Sequence, residues 1–91
     1  MKITVTYFAR PGRREEFLHR VVTAGILSAI REEDGCLRYD YYLSCQNEEE
    51  ILLLEEWESE AHQRLHMEQE HMKRLMDIKN DCIAETQLHA D

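Results

Sequence analysis

Proline occurs once and glycine three times, too rarely for a collagen-like repeat or a low-complexity, disordered chain. Cysteine is equally sparse. Cys36, Cys45 and Cys82 are odd in number and lack a CxxC spacing, which argues against a disulfide framework or a zinc ribbon and leaves buried or half-buried thiols. No apolar run approaches the roughly 18–20 residues that span a bilayer, and the N-terminus does not read as a secretion signal. The expectation is a cytoplasmic protein that stays off membranes. Positive charge is outnumbered, 11 Lys and Arg standing against 19 Asp and Glu for a net charge of −8. No continuous basic face forms, so nucleic acid and anionic lipid are poor partners. The acidic run 48–50 and the pair Glu68 and Glu70 read as solvated surface.

What is present is a globular composition, 43% hydrophobic over 91 residues. That suffices for one domain over 1–91 and not for two. A domain this small buries only about 60–65% of the surface of its unfolded chain, so support from a second subunit is expected.

The chain opens on Lys2 to Ala9, which alternates and is rich in β-branched and aromatic residues; Ile3, Val5 and Tyr7 fall on one face of a strand. Pro11-Gly12 ends it. From about Arg13 to Glu33 the pattern is helical, with Phe17, Leu18, Val21, Val22, Gly25 and Ala29 on one stripe. Leu27 misses that stripe just after Gly25, which predicts a bend or slipped turn. Asp34-Gly35 stops the helix. A second strand, Cys36 to Cys45, places Leu37, Tyr39, Tyr41 and Leu43 on one face and Arg38, Asp40 and Tyr42 on the other. A polar turn over 46–49 leads to a third strand, Glu50 to Trp57, hairpin-paired with the second. Ser59 is a candidate N-cap for a helix through about Leu65, and a further helix runs from about Glu68 to Ile78 with Met72, Leu75, Met76 and Ile78 inward. Cys82 to Leu88 reads as a fourth strand centred on Ile83 and Ala84. The order β-α-β-β-α-β predicts an α+β fold with helices on one face of an antiparallel sheet.

One strand asks for more cover than such a protomer provides. Ile51, Leu52, Leu53 and Leu54 are apolar on both faces, whereas a sheet with one wet side alternates. The uncovered face would be an exposed apolar patch, and a second copy packed sheet to sheet is the simplest cover.

Among residues that carry chemistry, Glu55 and Trp57 are two apart on one strand and share a face. A carboxylate against an indole in a dry cleft has its charged form disfavoured, which tunes it for proton transfer near neutral pH. The structural alternative pairs Glu55 with a histidine or arginine and leaves Trp57 as core. His62 and His66 are four apart, a spacing a metal uses on one helix face, but no third ligand accompanies them. Tyr39, Tyr41 and Tyr42 read as sheet packing, with Tyr41 open to contact with an aromatic ligand. Met67, Met72 and Met76 read as adaptable core or pocket wall.

The run Glu33-Asp34-Gly35-Cys36-Leu37-Arg38-Tyr39, followed by Leu54-Glu55-Glu56-Trp57-Glu58-Ser59 and then His66 and His71, resembles the antibiotic biosynthesis monooxygenase superfamily. Ala9-Arg10-Pro11-Gly12-Arg13 matches that family's first strand end. The resemblance implies a ferredoxin-like protomer that pairs into a dimeric α+β barrel, with a small-molecule pocket between sheet and helices. It also implies oxidation of a hydroquinone-like or polycyclic phenolic substrate by dioxygen, without metal, flavin or haem. Glu55, His66 and His71 are then the candidate catalytic residues, and Trp57 and Tyr41 the candidate substrate contacts. Leu53 replaces an asparagine of some anthrone-oxidising relatives. Val5 stands where the haem-degrading branch carries an asparagine, and the place of that branch's haem-ligating histidine falls near Met76, which disfavours haem chemistry. A non-oxidative isomerase of a small oxygenated metabolite, or a catalytically silent binding dimer, are the other readings.

Overall fold

The structure, a computed structural model, describes residues 1–90. Strand β1 (Lys2–Ala9) buries Ile3, Val5 and Tyr7 as its alternation requires. The helix expected over 13–33 is two helices, α1 (Arg14–Thr23) and α2 (Ile26–Arg31), because Gly25 sits at φ +75°. A left-handed residue cannot continue a right-handed helix, so the anticipated bend is a full break. The break re-aims the apolar stripe. Phe17 and Val21 are buried before it and Ile26 and Ile30 after it, while Val22 and Gly25, assigned inward from spacing, are exposed and Ala29 is only half-buried. Leu27, the misfit, packs at the edge of the core.

Strands β2 (Cys36–Leu43) and β3 (Glu50–Trp57) form the expected antiparallel hairpin. Ser44 Oγ accepts from the amides of Gln46 and Asn47 at 3.1 Å, and the Arg14 guanidinium donates to the Ser44 and Asn47 carbonyls at 3.0 Å, which ties the turn to α1. The inward face of β2 needs one correction. The pairing shifts between Cys36 and Arg38, so Leu37 is bulged out and 62% exposed, and Cys36 takes the inward place opposite Trp57. Tyr39 is buried and Tyr41 half-buried on that face, but Leu43, at the open end of the strand, is exposed.

Ser59 caps α3 (Glu60–Met67) as expected, its side chain accepting from the His62 amide. Helix α4 (Glu70–Cys82) runs four residues past its predicted end, and β4 (Ile83–Ala90) follows at once. Ile83 is buried, but Ala84, expected as the strand's apolar centre, is exposed with the rest of this edge strand. The sheet order is β2-β3-β1-β4, antiparallel throughout, which with the helices on one face is the ferredoxin-like α+β fold.

Alternate residues of β3, namely Ile51, Leu53, Glu55 and Trp57, are buried under the helices. On the opposite face Leu52 and Leu54 are half-buried beside Thr4, Thr6 and Phe8, and Tyr42 is exposed. Among the described residues no helix is long and apolar enough to cross a membrane. Cys36, Cys45 and Cys82 are free thiols.

Candidate active site

A cavity of about 350 Å³ lies between the inner face of the sheet and helices α3 and α4. Its wall is mostly apolar, and Met67, Met72 and Met76 all contribute, as pocket-wall methionines should. Val5 and Met76 also face it.

Glu55 is the buried carboxylate of this wall, 7% exposed, in the central strand between Ile3 of β1 and Tyr39 of β2. The Trp57 indole N–H donates to Glu55 Oε1 at 3.0 Å, which the shared face of residues two apart makes possible. Burial pushes the Glu55 carboxyl above its ordinary range, while the Trp57 hydrogen bond and the nearby His66 and Lys79 pull the other way. Oε1 is therefore held from behind, and the group is tuned toward its protonated form.

His66 is 1% exposed, forms part of the cavity wall, and lies against Trp57 with ring centroids 4.5 Å apart. Its Nδ1 meets the Glu33 carboxylate at 2.9 Å, and Nε2 of His71 meets the same carboxylate at 2.7 Å. The two-residue link between α3 and α4 places both imidazoles on that one group. A carboxylate on Nδ1 favours the tautomer that carries hydrogen there and leaves Nε2 without a protein hydrogen-bond partner among the described residues. Glu33 was legible only as part of the Glu33-Asp34-Gly35 run and was given no role. The available signal is its position just before β2, at the end of the sheet where Cys36 pairs with Trp57.

His62 goes elsewhere, so the four-residue spacing to His66 does not make a shared metal face. Its Nδ1 is 2.7 Å from Ser59 Oγ, and its Nε2 is 3.5 Å from Asp34 and 3.8 Å from Glu58. Two separate groups, Glu33 with His66 and His71, and Asp34 with Glu58 and His62, each bring three ligand atoms within 4.8 Å of one another. In the first, the carboxylate already closes a hydrogen bond to each imidazole.

The expected substrate contacts lie behind the wall. Trp57 is 1% exposed and faces Glu55 and His66, and Tyr41 packs edge-on against Phe17 and Tyr39 at 5.9 and 5.8 Å. Tyr39 and Tyr7 are the tyrosines that line the cavity. His71 reaches the site only through Glu33. Lys79, unassigned from sequence, is on the wall instead. It continues the α4 stripe Met72, Leu75, Met76 at helical spacing, so a lysine on an otherwise apolar face was the signal that could have found it.

The family described as antibiotic biosynthesis monooxygenase matches residues 1–77. "Putative monooxygenase YcnE" of Bacillus subtilis (strain 168) is 31% identical over 64 residues, which cover 70% of this chain; the match spans 65% of the length of that curated relative. Among solved structures, PA3566 from Pseudomonas aeruginosa superposes with a TM-score of 0.83 at 25% identity, over 97% of this chain and 87% of that one. Rv0793 from Mycobacterium tuberculosis gives 0.80 at 22% identity, over 99% and 92%, a likeness of fold alone.

Proposed function

Because this chain belongs to the antibiotic biosynthesis monooxygenase family, we propose that it is a monooxygenase that oxidises a hydroquinone-like or other electron-rich polycyclic phenol with dioxygen and without a cofactor. The observation that carries this reading is the meeting of Glu55 and His66 on one apolar cavity wall, each held from behind, by Trp57 and by Glu33. The cavity is at the small end of the roughly 300–1,000 Å³ usual for small-molecule sites.

In this chemistry the substrate is the reductant. A base takes a proton from the phenol, and the electron-rich anion reacts with dioxygen. One oxygen atom enters the ring system and the other leaves as water, the four electrons all coming from the substrate. The protein's work is to bind, deprotonate and exclude water. Glu55 is the first candidate for the base, since burial strengthens its hold on a proton. His66 Nε2 is the second group able to move a proton, with Glu33 and His71 as its support. Trp57 positions Glu55, and Tyr39 and Tyr7 take the ring-contact role first given to Trp57 and Tyr41.

A non-oxidative isomerase would use the same two proton carriers, and oxygen consumption separates the readings. A catalytically silent binding dimer would take up a ligand in the same cavity without turning it over. The test is oxygen uptake with a panel of hydroquinones. Glu55→Gln keeps the shape and removes the base, so turnover should fall roughly 100- to 10,000-fold while the protein still folds cooperatively. Turnover of wild type without oxygen consumption would transfer the site to the isomerase reading.

The protein also works as a homodimer in this reading. Leu52, Leu54, Thr4, Thr6 and Phe8 form the sheet face away from the helices, and a second sheet would cover them. Sedimentation should give a particle of about two chains at micromolar concentration; a stable monomer would overturn the pairing.

A further inference from the structure

We propose that Lys79 makes the cavity a receptor for the anionic form of its substrate, a phenolate or enolate whose charged oxygen sits against the Lys79 ammonium. The proposal rests on the small-molecule reading of this cavity and adds the charge state of the ligand and the residue that selects it.

The chain has three lysines, and their surroundings differ in kind. Lys2 pairs with Glu56 at 3.7 Å and Lys73 with Glu70 at 3.2 Å, and both are largely exposed. Lys79 is half-buried on the cavity wall and has no salt bridge among the described residues. What its ammonium has is the face of Tyr7, 4.9 Å from the ring centroid. A ring face attracts a cation but does not replace a carboxylate or a hydration shell. Lysines near an apolar surface usually extend the charged end into water. Here the side chain continues a stripe of Met72, Leu75 and Met76 and ends on the cavity.

The rest of the wall suits an anion. Its other ionisable groups are Glu55, His66, Tyr7, Tyr39 and the already paired Lys73. Burial makes the Glu55 carboxylate a stronger proton acceptor than one in water and makes Lys79 easier to deprotonate than a lysine in water, with Glu55 partly opposing the latter shift. An incoming phenol that gives its proton to Glu55 leaves a neutral carboxyl beside a negative oxygen. Lys79 is then the one lysine on the wall free to balance that charge. The proton moves from substrate oxygen to Glu55 carboxylate and nothing else changes hands.

The probe is 4-nitrophenol, whose phenolate absorbs where the phenol does not, so bound charge state is read directly by titration. Binding of the neutral phenol is measured separately by equilibrium dialysis below the pH at which it ionises. Wild-type protein should raise the probe's ionisation constant about tenfold, the effect of an opposite charge a few ångström away. Lys79→Met should remove that change and keep binding of the neutral phenol. Lys79→Arg should retain most of it, and Lys73→Met all of it. Methionine extends the existing methionine stripe, and Lys79→Gln gives a second uncharged variant should Lys79→Met fail to fold. A neutral probe that binds without a raised ionisation constant, or a raised constant that survives loss of the Lys79 charge, would overturn the assignment and leave the phenol pocket standing. A wild-type protein that binds no phenol at any pH would sink the phenolic substrate class, and the assignment with it.

Discussion

Glu33 and Asp34 are neighbours in sequence and each faces a histidine of α3, yet one pair is nearly sealed and the other is in water. Glu33 and His66 meet at 2.9 Å with side chains 9% and 1% exposed. Asp34 and His62 lie 3.5 Å apart with Asp34 95% exposed. Two residues four apart on a helix differ by only roughly 40° in direction, so the helix alone does not separate the histidines. What separates them is position along α3. His62 lies in its first turn beside Gly35, and His66 lies near its end, where the cavity begins. The same chemical pair thus becomes a positioning device in one place and a screened surface contact in the other. An exposed pair of this kind contributes about 0–1 kcal/mol, whereas breaking a buried one leaves a group without water or partner.

The contrast is tested hardest by turnover. His66→Gln should lower oxygen uptake roughly 100- to 10,000-fold, the loss expected of a positioned acid or base, while His62→Gln changes it by less than about twofold. Glu33→Gln keeps the shape but loses the charge that fixes the His66 ring, and should lower the rate about 10- to 100-fold. Asp34→Asn is its control and should do nothing measurable. Equal losses from Glu33→Gln and Asp34→Asn would erase the distinction between the pairs.

Gly35 supports the surface pair and should show the next largest effect, on stability. Its φ of +83° is in the left-handed region, and an added Cβ would collide with the His62 ring. Gly35→Ala is expected to lower stability by about 1–3 kcal/mol in thermal melts. Repeating it in a His62→Ala background should recover the steric part and leave the backbone part. No recovery would mean that the ring moves aside freely.

The strands, the hairpin and the Asp34-Gly35 stop were legible because alternation and turn chemistry are local. The inward placement of Leu37 failed because a bulge leaves no mark on a strand's composition. The stripe through Val22 and Ala29 failed because a left-handed Gly25 resets the helical phase. At the site, Glu55, His66 and the Glu55–Trp57 relation were readable from spacing and from the family's motifs. Glu33 and Lys79 were not singled out, since each acquires meaning only across a long sequence gap, Glu33 from His66 and His71 and Lys79 from Tyr7 and Glu55. Reading Lys79 against its methionine stripe would have found a candidate, though not its purpose.

The smallest expected effect asks whether burial is enough to tune the Glu55 carboxylate, whose one side-chain hydrogen bond comes from the Trp57 indole. Burial, opposed by Trp57, His66 and Lys79, raises the Glu55 carboxyl above its ordinary 4.5. The folded protein then holds that proton more tightly than the unfolded chain. Its contribution to stability is fully present below 4.5 and is lost as pH rises through the raised folded value. Glu55→Gln has no proton to lose, so its stability relative to wild type should improve as pH rises above 4.5 and level off once pH has passed the raised folded value. Lys79 is present in both proteins, so relief of its own burial penalty, which begins as pH rises through its lowered folded value and is complete near the ordinary 10.5, cancels in the difference. Paired melts of the two proteins across the series give the difference directly, with groups common to both cancelling. A difference that is flat with pH would mean that Glu55 titrates as it does in water. The carboxylate would then owe any catalytic role to its place on the cavity wall and not to its burial.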